Sequence, residues 1–411
     1  MHIRTWTVSY PTKSALAAGL FFVLGTGGVA KCAPQFAQFR SDAQRSGRVA
    51  YSVAASPTIA WTYAIGIASS ATAVIDEHGT TYFGANDRQF YSVESNGAQQ
   101  WSTCDTRAFI SATAAIADDG TVYFANQGGN LYAMNPDGSC KWALSASMGG
   151  AGISGAPLLG RDGTIYIGDG LGWVRAVSAD GNTLWSIRTG GAVSRSLASS
   201  PDGSVIYAPS NDGRLYAIGS DGSLIWRSDV INPGNNCAIA EDGTVYVGST
   251  SGVFYAFNPD GSVRWTRMQM GAITTAPAIG SDGSIYFGGY DGYLRALDSF
   301  GNQKWSYRSS STVYSSPTLD ASGTILFGTS EGKLVALEAN TGSLSWTRAL
   351  GSAIHTSPTI GSDGSIYVMA SGGNLVKLSG ATVAQSPEPG AMLCLISGLV
   401  GMVVGVRRRR S

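Results

Sequence analysis

The chain has 411 residues, with 27 Lys and Arg against 27 Asp and Glu, and 55 glycines. A balanced charge with no basic stripe excludes a nucleic-acid partner, which would need clustered cations to meet phosphate. Glycine at about twice its usual share argues against long helices and for many turns.

Residues 1–33 read as a secretory signal peptide. Arg4 and Lys13 are the positive flank, 15–24 the apolar core, and Gly28-Val29-Ala30 a small-residue cleavage site. A buried N-terminal helix is the alternative, but the apolar run leaves no polar face for one. Cys32 stands where a lipoprotein box would place it, yet Lys31 directly before it does not fit such a box. A lead-in segment then covers 34–56.

From 57 to 380 one unit recurs. Its clearest copy, 273–307, has short runs at 274–279, 284–288, 293–298 and 303–307, separated by Asp282-Gly283, Asp291-Gly292 and Phe300-Gly301. Runs rich in β-branched and aromatic residues between such turns predict a four-stranded antiparallel meander. Each unit closes on a tryptophan: Trp61, Trp101, Trp142, Trp185, Trp226, Trp265, Trp305 and Trp346, spaced by 39 to 43 residues. A period near 41 with four strands per unit is that of a β-propeller blade, and the fold is expected to be all-β.

The phase of the repeat sets the blade count. Trp61 precedes the first second-strand motif, at Tyr82, while the last unit, 355–379, has three strands and no tryptophan after it. The run 58–65 is therefore expected to be the outer strand of the last blade, giving an eight-bladed propeller with its two ends in one sheet. Open ends would leave two unpaired edges. Seven blades and a loose strand is the alternative. Trp61 is expected to be buried between blades like its counterparts.

Residues 381–390 form a linker containing Pro387, Glu388 and Pro389. An apolar stretch, 391–406, follows, and then Arg407, Arg408, Arg409 and Arg410. Sixteen helical residues span roughly 24 Å, slightly short of a bilayer core but helped by snorkelling arginines, which would hold that end in the cytoplasm.

The repeat G-x-D-G-x-[IV]-Y-x-G…L-x-A-L…G-x-x-x-W resembles the pyrroloquinoline-quinone-type propeller repeat, and 36–48 (FAQFRSDAQRSGR) is similar to that family's lead-in. The resemblance implies eight blades with the tryptophans docked between neighbours. Pro387-Glu388-Pro389, the apolar stretch and the basic tail together resemble a PEP-CTERM sorting tail. That resemblance implies a membrane protease, an exosortase, as a processing partner, and export of a Gram-negative protein to its surface. Until processing, the C-terminal helix would hold the protein in the membrane.

Little in the chain points to catalysis. Quinoprotein dehydrogenases, by the same resemblance, use adjacent cysteines, a catalytic Asp and acidic calcium ligands. Here Cys32, Cys104, Cys140, Cys237 and Cys394 are all apart, and no blade carries a long inserted loop. A disulfide between Cys104 and Cys140 is not expected, and Cys237 reads as core. No histidine pair has metal-ligand spacing, and the Asp-Gly pairs lack the oxygen-rich spacing of calcium loops. No metal, no cofactor and no enzyme activity are expected.

One ring of positions stands out. The residues equivalent to Thr274 at the start of each first strand are Ser70, Ser111, Ser154, Ser194, Gly234, Tyr314 and His355, with Arg195 one place along. Most are small, as crowding at the axis requires. Tyr314, His355 and Arg195 are candidate ligand contacts at a channel mouth, or else they plug the axis. The leading expectation is a non-catalytic binding protein of the cell surface or an extracellular polysaccharide matrix, with a glycan or protein partner. A periplasmic scaffold similar to the outer-membrane-assembly propeller is the alternative, and a quinoprotein dehydrogenase ranks last.

Overall fold

A computed structural model describes residues 38–380, apart from 104, 148, 269 and 270. The signal segment, the linker with Pro387-Glu388-Pro389, the apolar stretch, the arginine tail and Cys104 lie outside the described residues.

The described residues form eight four-stranded antiparallel sheets and no helix. Within the unit at 273–307 the strands are Ala278–Ile279, Ile285–Gly288, Tyr293–Leu297 and Gln303–Arg308. Its three turn glycines, Gly283, Gly292 and Gly301, have φ of 76°, 77° and 84°, a conformation glycine reaches without a Cβ clash. Second strands are buried along all or nearly all of their length, while in the outer strand Gln303–Arg308 exposed and half-buried residues alternate over its second half. Each apolar cluster draws on two neighbouring sheets, as Ala278, Tyr286 and Leu294 do with Leu319, Phe327 and Val335.

The first strand is shorter than the sequence suggests. Its upstream half bonds to its own blade through side chains, as Thr275 Oγ1 does in accepting from Gly288 N (2.7 Å) and donating to Gly288 O (3.1 Å), and also bonds around the ring. Ala156 N donates to Ser196 Oγ (3.0 Å), Ser196 N to Asn236 Oδ1 (2.7 Å), Ala276 N to Ser316 Oγ (3.0 Å) and Ser357 N to Thr72 Oγ1 (3.3 Å). Each bond joins one blade to the next, a girdle of side-chain acceptors around the axis.

The ring closes as the phase of the repeat requires. Thr58–Ala64 pairs antiparallel with Asn374–Ser379, Trp61 opposite Lys377. One apolar cluster then joins the last blade to the first, with Tyr367 and Leu375 against Phe83 and Tyr91, and Trp61 packed beside them.

Seven indoles dock in the same way. Trp61 Nε1 donates to Ser95 O (3.0 Å), Trp185 to Ser220 O (2.8 Å) and Trp305 to Ala339 O (2.8 Å), each acceptor lying in the outer turn of the following blade. Trp101, Trp142, Trp226 and Trp265 repeat the bond. The turn glycine lies flat on the indole, and a Cβ on Gly342 would come within 2.6 Å of Trp305. These rings are half-buried rather than buried, because one face stays at the blade rim. Trp346 is the exception, 8% exposed. The following blade takes its outer strand from the N-terminal end and so has no such turn, and Tyr51 and Val53 of the lead-in pack there instead.

Candidate functional site

In an antiparallel meander, turns alternate between the two ends of the blade. The Asp-Gly turns after the first strands and the turns after the third strands share one face of the ring. The loops after the second and outer strands share the other. The two faces differ in almost every respect.

The lead-in closes the first of them. Its carbonyls accept from inner strands of four successive blades: Ser199 N on Ala43 O (2.8 Å), Ile239 N on Gln44 O (3.0 Å), Ile279 N on Ser46 O (2.9 Å) and Leu319 N on Gly47 O (2.8 Å). Gln38 adds a fifth blade, accepting from Leu159 N at 3.0 Å. Two buried arginines cross the axis beneath this strand. Arg45 donates to Leu197 O (2.9 Å), Phe39 O (2.7 Å) and Pro157 O (3.1 Å), and Arg40 to Pro277 O (2.6 Å) and Arg45 O (3.1 Å). Burial lowers their pKa to about 9 for Arg40 and about 10 for Arg45, with Asp42 opposing it. Both remain cations at neutral pH. Gly47, at φ 67°, is fixed by this packing, since a Cβ there would fall 2.1 Å from Arg40 Nη2.

The second face is the open one in the sense that, among the described residues, the lead-in does not cross it. Where its ring of polar side chains passes through the second and third blades, partners are found nearby. Gln127 donates to both Ser111 Oγ (2.5 Å) and Ser154 Oγ (3.1 Å). Elsewhere around the mouth some groups are paired, as Ser194 Oγ is with Asn211 Oδ1 (3.5 Å), and others are not. Among the described residues, Arg195 Nε, Thr274 Oγ1 and Ser315 Oγ are shielded from solvent and have no hydrogen-bond partner. Burial holds the Arg195 guanidinium below its usual pKa, with the Tyr290 phenol opposing it.

Tyr314 and His355 meet on the neighbouring blades. Their rings stand edge to face with centroids 5.0 Å apart, and Tyr290 packs on the other side of Tyr314 at 5.1 Å. The neighbouring Tyr290 hydroxyl raises the pKa of Tyr314. His355 is exposed and lies 3.5 Å from Ser371 Oγ. The structure thus gathers Tyr314 and His355 into one cluster, with Arg195 on a separate blade facing Tyr290. Gly234 departs from the ring. It is buried, and a Cβ there would fall 2.0 Å from the Ile273 carbonyl, while the next residue, Asn235, donates to Thr274 O.

Sequence reasoning missed Tyr290, Gln127 and Ser315. Tyr290 and Gln127 occupy one repeat position, two residues past the second strand, where the backbone N–H bonds to the loop ahead of the blade (Tyr290 N on Ala272 O, Gln127 N on Phe109 O); aligning the blades on that position is the signal that finds them. Ser315 lies just ahead of the inner strand Thr318–Leu319, and an ordinary small residue at a crowded position carries no signal.

A quinone cofactor held with calcium does not fit these residues. Among the described residues no carboxylate pairs with Arg195, and no group of three His, Cys, Asp or Glu could hold a metal ion. The chain has no adjacent cysteines.

Comparison with known proteins supplies the remaining findings. A family model described as outer membrane protein assembly factor BamB matches residues 6–172, 170–313 and 290–386. No curated protein matches. The fold is similar to that of quinohemoprotein alcohol dehydrogenase from Comamonas testosteroni, with a TM-score of 0.72 and 14% identity over 88% of this chain and 83% of that one. A europium-containing methanol dehydrogenase gives 0.68 at 14% identity over 82% and 89%. BamB from Moraxella catarrhalis gives 0.67 at 14% identity over 80% and 100%. These findings correct the expectation of a non-catalytic binding protein of the cell surface or polysaccharide matrix. The family model is that of an assembly factor, and the similar folds are dehydrogenases and that factor.

Proposed function

We propose, since this chain belongs to the pyrroloquinoline-quinone-like repeat family described as outer membrane protein assembly factor BamB, that it is an exported scaffold holding another protein at its open face. One observation carries this reading. One face is covered by the chain's own lead-in and leaves only Arg40 Nη1 unpartnered among the described residues, while the other leaves Arg195 Nε, Thr274 Oγ1 and Ser315 Oγ. Buried polar groups ordinarily find partners, so a row of unpaired ones around a mouth favours a bound group. Exposed Ile67, Phe109, Leu171 and Val230, all on loops of that face, add apolar anchors of the kind protein interfaces use. No catalytic step is assigned to the mouth.

The test is site-directed photo-crosslinking in the native host, with the crosslinker at Ser194 on the open face or at Asp260 on the closed one. The expected result is one partner protein, identified by mass spectrometry, captured from Ser194 alone. Capture from Asp260 alone, or from neither, overturns the reading.

Export and processing form part of the proposal. The resemblance of 387–410 to a PEP-CTERM tail supports cleavage by an exosortase near Pro387-Glu388-Pro389. Mass spectrometry of the native protein should find everything after that motif removed. An intact Arg407–Arg410 end on exported protein would refute it.

A further inference from the structure

The mouth is continuous with a cleft. Tyr290, whose ring packs on Tyr314, also lines a cavity of about 620 Å³ running outward over the seam between two blades. Arg308, Ser309, Ser311 and Lys333 line it too. Ser309 Oγ and Ser311 Oγ are shielded from solvent and unpartnered among the described residues, like Thr274 Oγ1 and Ser315 Oγ at the mouth. Ser315 itself is 0% exposed.

Charge along this path is one-sided. The carboxylates near it are already engaged: Asp291 by Arg295 and Glu331 by Lys333. Arg308 at one end is in no ion pair among the described residues, and Arg195 at the other has an unbonded Nε. Uncommitted guanidinium groups with hydroxyl donors between them are a receptor for carboxylates, which a guanidinium binds through two parallel bonds. The opposite face repels such a ligand. Its turns carry Asp137, Asp180, Asp221 and Asp260, and among the described residues no cation is paired to any of them.

We infer that the mouth and this cleft form one binding groove for an extended acidic peptide, one carboxylate on Arg195 and another on Arg308, with the intervening backbone against the unpaired hydroxyls. The inference rests on the reading of the open face as protein-binding. A peptide is favoured over an acidic sugar because Ile67, Leu171 and Val230 around the mouth are aliphatic and exposed. Tyr314, the ring a sugar would stack on, already has Tyr290 and His355 packed against it.

The test uses residues 34–385 and a rhodamine-labelled octapeptide of alternating Glu and Phe, with its Gln-for-Glu counterpart, followed by fluorescence anisotropy. The Glu peptide should bind at least about tenfold more tightly than the Gln peptide. Arg195→Gln and Arg308→Gln should each remove about tenfold of that preference, while Arg161→Gln on the closed face should leave it unchanged. Arg308 is at the surface, so its variant reports on the groove even if the Arg195 variant misfolds. Equal binding of the two peptides, no binding, or unchanged preference in both variants overturns the inference. So does displacement by tetragalacturonate without binding of the Glu peptide, which would assign the groove to an acidic sugar. The scaffold reading fails separately: if Ser194 captures no partner while the Glu peptide still binds through both arginines, the groove stands and the scaffold falls.

Discussion

Two arginines lie near the axis of this ring and behave in opposite ways. Arg45, on the closed face, gives three hydrogen bonds to backbone carbonyls from three parts of the chain. Arg195, on the open face, keeps a buried Nε that bonds to nothing among the described residues. The first is a structural rivet and the second a cation left available. A buried donor is expensive to leave unpaired; among the described residues the closed face leaves one such atom, Arg40 Nη1, while the open face and its cleft leave five, Arg195 Nε and the hydroxyls of Thr274, Ser309, Ser311 and Ser315. That contrast separates the face that holds the propeller together from the face available to a partner.

The largest effect should come from removing the closed face altogether. Deleting residues 34–66 takes away the lead-in and the outer strand of the last blade, which exposes an unpaired edge. The product should aggregate, and a soluble monomer by size-exclusion chromatography would contradict the closure described here. Arg45→Ala comes next. It leaves three carbonyls without their donor and should cost roughly 3–5 kcal/mol, read as a lowered midpoint in denaturant. A loss under about 1 kcal/mol would mean that the arginine is not a rivet.

Trp61→Ala should cost about as much as Trp305→Ala. Both indoles are half-buried and make the same bond to the next blade, so the loss should sit near the lower end of the ~3–5 kcal/mol typical of tryptophan truncation. A silent Trp61→Ala beside a costly Trp305→Ala would separate the N-terminal strand from the ring.

Alkaline pH reports on the closed face as well. The second-strand tyrosines point toward its acidic turns, as Tyr82 OH does on Asp76 Oδ2 at 3.1 Å. Burial raises the pKa of Tyr207 and Tyr246 to about 12. A phenol whose pKa is higher folded than unfolded contributes stability that is fully present below pH ~10 and lost as pH rises toward ~12. Arg40 and Arg45 act in the opposite direction, their folded pKa values being lowered, but the raised phenols outnumber them. The denaturant midpoint should therefore fall between about pH 10 and 12, with phenolate absorbance rising in step with unfolding. A flat midpoint across that range would show that the tyrosines titrate as free phenols.

The smallest effect on stability belongs to Arg195→Gln. Removing a partly desolvated cation that, among the described residues, has no ion-pair partner and an unbonded Nε should leave the thermal midpoint unchanged or slightly higher. A large loss would mean that Arg195 is a second rivet, and the contrast between the faces would disappear.

The blades and their closure were legible in the amino-acid order. The turn glycines, the second-strand tyrosines and the docking tryptophans are local features with a fixed period. The unpaired phase of Trp61 against the three-stranded last unit leaves one economical way to join the ends. Where the polar groups find partners emerged only on folding. Arg40 reaches a carbonyl 237 residues away and Arg45 one 152 away, distances no repeat pattern encodes. Gln127 serves Ser111 and Ser154 from a loop position that every blade repeats, while among the described residues no side chain brings an acceptor to Arg195 Nε or a partner to Ser315 Oγ. Periodicity specifies backbone geometry blade by blade. Which donor is left without an acceptor depends on side chains that meet only when all eight blades converge on one axis.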